Sequence, residues 1–186
     1  MTKMMTLFSL LSALICSTAF AQQSEQCDPN CHAELALLKV YSRSIRSWEG
    51  QVRYDAIKAV AAIAVKSSSD DVKVRALELL HSPIRSWIGD IRVAALEASF
   101  LIGYNCQSEI VQTKSLENLV EPLQSWEGDT RAKAIDGIGR IAIRSESAKV
   151  KEYALTILDD PQGSWIGDIR AIADRTAAAV AASLHK

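Results

Sequence analysis

The chain has 186 residues, 48% of them hydrophobic and only 6% aromatic, with 21 basic and 22 acidic side chains. That length is enough for one domain with a sizeable core. The net charge of −1 argues against a protein that grips nucleic-acid phosphates, and it gives no bulk attraction to an anionic membrane.

Residues 1–21 have the make-up of a cleavable export signal. Lys3 supplies the positive start, Met4 to Ile15 is mostly apolar, and Ala19-Phe20-Ala21 is a small-x-small site ahead of Gln22-Gln23. The apolar run is interrupted by Ser17-Thr18 and is too short to cross about 30 Å of hydrocarbon. A lipoprotein signal at Cys16 is disfavoured by the large Ile15 before it. The expectation is cleavage after Ala21, which leaves residues 22–186 as an exported, soluble product. The signal's style points to a bacterial periplasm, with secretion as the other possibility.

Cleavage leaves Cys27, Cys31 and Cys106. In an oxidising compartment Cys27 and Cys31 are placed to close a small disulfide loop over the turn-forming Asp28-Pro29-Asn30. Cys106 is then free or available to a second chain. No Cys-x-x-Cys spacing is present, so a structural role is expected rather than a redox one.

Self-similarity organises everything after that. All four tryptophans are 39 residues apart: Trp48, Trp87, Trp126 and Trp165. Each lies in one phrase: Ser47-Trp48-Glu49-Gly50-Gln51-Val52-Arg53 recurs as Ser86-Trp87-Ile88-Gly89-Asp90-Ile91-Arg92. The third copy is Ser125-Trp126-Glu127-Gly128-Asp129-Thr130-Arg131, and the fourth Ser164-Trp165-Ile166-Gly167-Asp168-Ile169-Arg170. The same register carries Leu38, Leu77, Leu116 and Leu155, then Ala56, Ala95, Ala134 and Ala173, then Ile63, Ile102, Ile141 and Val180. Four tandem units follow, about 28–66, 67–105, 106–144 and 145–183.

Each unit reads as two helices. Upstream of the Trp, Val72 to Leu80 places apolar residues on one helical face. Pro83, Pro122 and Pro161 are expected to stop this helix. Ser44 replaces proline in the first copy, so its helix is expected to run further. Downstream, the Gly is expected to supply a sharp turn, and Asp90, Asp129 and Asp168 to cap the second helix. Gln51 caps less well. The second helix is rich in Ala, and Gly103, Gly137 and Gly139 read as close helix contacts rather than a phosphate loop. Asp174 and Thr176 on the last helix mark a polar terminal cap, as a soluble stack requires. A hairpin of this kind cannot hide its own apolar face, so the copies stack.

The Asp-x-Arg phrase followed three residues later by Ala resembles the second helix of HEAT and HEAT-like (PBS-lyase-type) repeats, over the whole mature chain. The resemblance implies an all-α solenoid of paired helices wound into a right-handed superhelix. It also implies a ladder between Asp and Arg of neighbouring repeats. The 39-residue unit is longer than the short PBS-lyase type, and Ser-Trp-x-Gly is not part of the general family pattern.

Catalysis needs a nucleophile or base with a partner. His32, His81 and His185 are scattered, no His/Cys/carboxylate cluster has metal spacing, and Ser-Trp-x-Gly is not a nucleophile elbow. No catalytic residue, cofactor or metal is expected. The candidate surface is the turn phrase: Trp48, Trp87, Trp126 and Trp165 with Arg53, Arg92, Arg131, Arg170, Asp90, Asp129 and Asp168. The plainer expectation is that each indole covers its turn and wedges between hairpins while each Arg pairs with the next turn's carboxylate. The alternative is a binding edge, because Trp and Arg are enriched at hot spots. The expected function is a non-catalytic, exported scaffold for protein–protein interaction: an adaptor, assembly factor or inhibitor of unidentified partner. The other reading is a lyase-like enzyme or small-ligand carrier using the inner groove of the solenoid.

Overall fold

The computed structural model describes residues 29–184. The proposed signal segment, Cys27 and His185 lie outside the described residues. Among the described residues eight helices follow one another: α1 (Pro29–Ser44), α2 (Gly50–Lys66), α3 (Asp70–Ile84), α4 (Gly89–Tyr104), α5 (Glu109–Leu123), α6 (Gly128–Arg144), α7 (Ala148–Gln162) and α8 (Gly167–Ser183). Among the described residues there is no strand. Each helix packs on its hairpin partner, odd helices pack on odd and even on even. The result is a two-layered α-solenoid.

The recurring apolar positions are what the layers bury. Leu38, Leu77 and Leu116 are sealed, as are Ala56, Ala95, Ala134 and Ala173, while Ile102, Ile141 and Val180 close the even layer. Each fully buried Leu or Ile contributes about 1.5–3 kcal/mol by leaving water. Leu116→Ala alone would cost about 2–5 kcal/mol, because the surrounding helices cannot collapse fully onto the gap.

The core comes in two blocks, one running from Cys31 to Val111 and the other from Leu96 to Val180. Where they meet, α4 and α5 bury polar side chains. Asn118 Nδ2 donates to the Leu77 carbonyl at 2.8 Å and to Ser99 Oγ at 3.2 Å, and Ser115 Oγ donates to the Ser99 carbonyl at 2.6 Å. Gln112 joins the Cys106 carbonyl (2.7 Å) to the Ser145 hydroxyl (2.7 Å). Ser115 and Asn118 occupy the register of Ala76 and Leu79. A buried polar group is tolerated only when bonded, and here every one named is.

Three expectations about helix ends are corrected. The prolines do not stop the odd helices: Pro83, Pro122 and Pro161 sit inside the last turn. A proline there forfeits one amide near the helix end, and its carbonyl still accepts the N–H of the turn serine, Ser86, Ser125 or Ser164, at 3.0–3.1 Å. Without a proline α1 runs no further; it ends at Ser44, whose carbonyl accepts from Ser47. The aspartates are not N-caps either. The even helices begin at the Gly, so the cap positions are Glu49, Ile88, Glu127 and Ile166, none with a side-chain cap bond. Asp90, Asp129 and Asp168 lie one residue inside, in the first turn, where a carboxylate still suits the helix dipole. Finally, the turn glycines use no left-handed conformation, since none of the described residues has a positive φ.

The helix contacts expected of the internal glycines are present. A Cβ on Gly103 would overlap Ser115, and one on Gly139 would overlap Thr176 Cγ2. Thr176 is therefore a packing residue against α6, not part of a polar end cap. Asp174 does fit that description: it is exposed at the position where Ile57, Leu96 and Ile135 are buried in the other copies, and Gln162 Nε2 donates to it at 3.1 Å.

Candidate functional site: the tryptophan edge

The four turn phrases sit at the same end of their hairpins, between α1 and α2, α3 and α4, α5 and α6, and α7 and α8. Stacking sets them along one edge, about 8–10 Å apart if they follow ordinary helix packing.

The invariant serine is explained by the turn itself. Oγ of Ser47, Ser86, Ser125 and Ser164 accepts the N–H two residues on, at 3.1, 3.2, 3.2 and 3.2 Å. This side-chain turn fixes the approach to the even helix. The same device recurs on the opposite edge, where Ser67 and Ser145 accept from Ser69 and Ser147. Cys106 holds that seat between α4 and α5, its buried Sγ accepting the Ser108 N–H at 3.4 Å.

The invariant arginine is also structural, though not as the family ladder implied. Arg92 Nη2 meets Glu127 Oε2 at 2.5 Å across the second and third hairpins, and Nη1 donates to its own turn's Ser86 carbonyl at 3.2 Å. Arg131 Nη2 donates to Ser164 Oγ at 3.1 Å. The Nε atoms of Arg53, Arg92 and Arg131 are buried without a hydrogen bond. Arg170, on the last described hairpin, is exposed. Ladder rungs thus fall on the residue after the Trp or on the turn serine; Asp90, Asp129 and Asp168 take no part and are exposed without ion pairs. Glu127 feels the rung: the Arg92 contact, and then the Thr130 hydroxyl at 2.8 Å, hold its carboxyl below the ordinary value of 4.5.

Tryptophan and glycine are different. Trp48, Trp87, Trp126 and Trp165 are 89, 88, 86 and 89% exposed, so the expectation that they cover the turns and wedge between hairpins is overturned. The physical reason is that the Ser hydroxyl already closes each turn, and in the first three copies the Arg is the side chain tucked into the stack. Around Gly50, Gly128 and Gly167 an added Cβ would meet nothing within 4 Å, and at Gly89 only the Glu127 carboxylate at 4.0 Å. Half of the invariant phrase, Trp and Gly, thus packs against little among the described residues. Sequence reasoning weighed Trp and Arg together and missed that they divide; the invariant Gly, kept where a helix former would serve, was the available signal.

Two open hollows lie on the even-helix face beside this edge. One, of about 640 Å³, is bounded by Gly50, Tyr54, Ile88, Asp90, Glu97 and Lys133. The other, of about 320 Å³, is lined mainly by Tyr54, Ala61, Ala62, Ala94, Ala98 and Leu101. The first carries the exposed Glu97–Lys133 ion pair at 3.2 Å on its rim, and the second is mostly apolar. Among the described residues no three His, Cys, Asp or Glu side chains come together as a metal site, and no helix is long and apolar enough to cross a membrane. His32 and His81 are both exposed, on α1 and at the end of α3.

The architecture is that of an all-α repeat solenoid, and solved structures share it. Two engineered proteins align at 19% identity with TM-scores of 0.53, over 77% and 84% of this chain; the chain spans 37% of the first and 69% of the second. An archaeal HEAT-like repeats protein from Thermococcus onnurineus NA1 aligns at 14% identity over 82% of this chain and 76% of its own, with a TM-score of 0.42. No protein-family description and no curated protein matches the sequence.

Proposed function

We propose that this protein is a non-catalytic scaffold that binds another protein along its tryptophan edge, outside the cytoplasm. The observation that carries the reading is the exposure of all four indoles at equivalent places. Burying one aromatic side chain covers about 150–250 Å², so four amount to about 600–1,000 Å², the contribution of one partner to a standard interface. Tryptophan is also the residue type richest in binding energy at such surfaces.

Export rests on the composition of residues 1–21, and with it goes a disulfide from Cys27 to Cys31 in the first turn of α1. A purified native product that begins at Gln22 and has lost two hydrogens would support both; one retaining Met1 would remove both. Crosslinking in the native compartment, comparing wild type with Trp87→Ser/Trp126→Ser, tests the edge. Loss of specific protein crosslinks at unchanged abundance is the expected result. An unaltered crosslinking pattern would refute the edge, and turnover of a substrate by the purified chain would refute the non-catalytic reading. The groove-based enzyme or carrier stands second, because the hollows on the even face are open and partly lined by alanine.

A further inference from the structure

We propose that the occupant of the tryptophan edge is an extended, basic segment of the partner protein, presenting one Lys or Arg to each hairpin. This deepens the scaffold reading and rests on it.

Charge is the first argument. The edge tucks Arg53, Arg92 and Arg131 into the stack and pairs Arg85 with Glu121 at 3.3 Å, leaving Arg46 and Arg170 exposed. Its carboxylates face out. Asp90, Asp129 and Asp168, each three residues past an indole, are exposed and without ion pairs, and Glu49 is exposed in the first copy. Every hairpin therefore offers an aromatic face beside an unneutralised carboxylate, the combination that suits a cation. Elsewhere the chain fills such faces itself. Lys58 lies 4.4 Å from the Tyr54 ring, Arg140 lies 4.7 Å from Phe100, and Arg144 lies 4.7 Å from Tyr104. None of the four exposed indoles has a cation of its own over its ring.

The backbone is the second argument. The even helices start without side-chain caps, so first-turn N–H groups remain for outside acceptors. The glycines leave the space before them open. A peptide brings carbonyls to those amides as well as cations to the indoles; a free polyamine brings only the cations, and a neutral polysaccharide only oxygens.

Spacing is the third. Packed helices repeat at about 8–10 Å, and a polyproline-type strand advances about 9.3 Å every three residues. A basic residue at every third position keeps step with the hairpins. The hollow bounded by Gly50, Tyr54, Ile88 and Asp90 gives one such side chain a seat between the first and second indoles.

The test uses the full mature chain and synthetic peptides, read by tryptophan fluorescence, which reports this edge alone because all four indoles lie on it. The probes are (Pro-Pro-Lys)₄, the same peptide with Glu or Ser for Lys, and a peptide of equal charge with Lys at every second position. The expected result is saturable, salt-weakened binding of (Pro-Pro-Lys)₄ at least tenfold tighter than any of the other three. An Asp90→Asn/Asp129→Asn/Asp168→Asn variant, its melting curve unchanged, is expected to lose at least tenfold. Equal binding of the Lys and Ser peptides, or no loss in that variant, would overturn the proposal. If crosslinks to a protein still depend on Trp87 and Trp126 while the Lys peptide fails, the basic occupant is wrong and the scaffold survives. If a chitin oligosaccharide quenches the indoles and no peptide does, both are wrong.

Discussion

Arg92 and Glu127 join the second hairpin to the third through a 2.5 Å ion pair, the one rung of the arginine series that ends on a carboxylate. Its neighbours in the series reach a hydroxyl or nothing, because isoleucine follows the Trp in the second and fourth copies. The alternation Glu, Ile, Glu, Ile thus has a physical meaning: the charged rung is spent where the two core blocks meet.

That rung sets a pH dependence. The Glu127 carboxyl is held below 4.5 by Arg92 first and Thr130 second, so the pair stabilises the fold fully above the ordinary carboxylate value. The contribution is lost as pH falls through the lowered folded-state value. Wild type is expected to melt higher than Glu127→Gln at pH 7, with the gap narrowing below about pH 4.5. A gap that does not change between pH 7 and pH 3 contradicts the ion pair.

The tryptophans are expected to be dispensable for stability. Trp87→Ala and Trp126→Ala should each shift unfolding by no more than about 0.5 kcal/mol, as at other exposed sites; a buried Trp truncated to Ala costs about 3–5 kcal/mol. Denaturant titration distinguishes the two outcomes directly.

Glycines of the two kinds should respond oppositely. Gly103→Ala drives a methyl into Ser115, whose hydroxyl is committed to the Ser99 carbonyl, and should cost about 1–3 kcal/mol by overpacking. Gly167→Ala meets open space at an ordinary φ and should leave stability unchanged or raise it by up to about 1 kcal/mol. Thermal melts of the two variants suffice.

Cys106→Ser should be accepted, because serine already fills that seat as Ser67 and Ser145. A loss below about 1 kcal/mol is expected by denaturant titration, whereas Cys106→Leu, too large for a site 7% exposed, should cost about 1–3 kcal/mol.

The solenoid was legible in the sequence because its cause is periodic: Leu77 and Ala95 recur at a fixed interval, and each such position has one physical use, burial. Gly103 and Gly139 were legible for the same reason, lying within helices where only close packing justifies a missing side chain. Helix ends were less so. Asp90 looks like a cap, but a carboxylate favours the cap position and the first turn alike, and only the start of α4 decides between them. Trp87 misled more deeply. A large apolar residue repeated in every copy is what a core demands, and it is also what a repeated contact demands. The sequence carries no record that Ser86 and Arg92 already occupy the turn. The polar seam at Asn118 was invisible, since its partners are a distant carbonyl and a serine on another helix.

The two ends of the stack are unlike, and this gives the molecule a polarity. Asp174 puts a charge where a following hairpin would have to settle, so addition beyond α8 would strand that carboxylate in oil. At the other end Leu37, Val40 and Val52 are half open to water, in the register of Ala76, Leu79 and Ile91. A fifth hairpin joined ahead of α1 would find a docking face already cut to shape. Lengthening by gene duplication therefore has one permitted direction, and an engineer wishing to extend the row of indoles should build from the amino end.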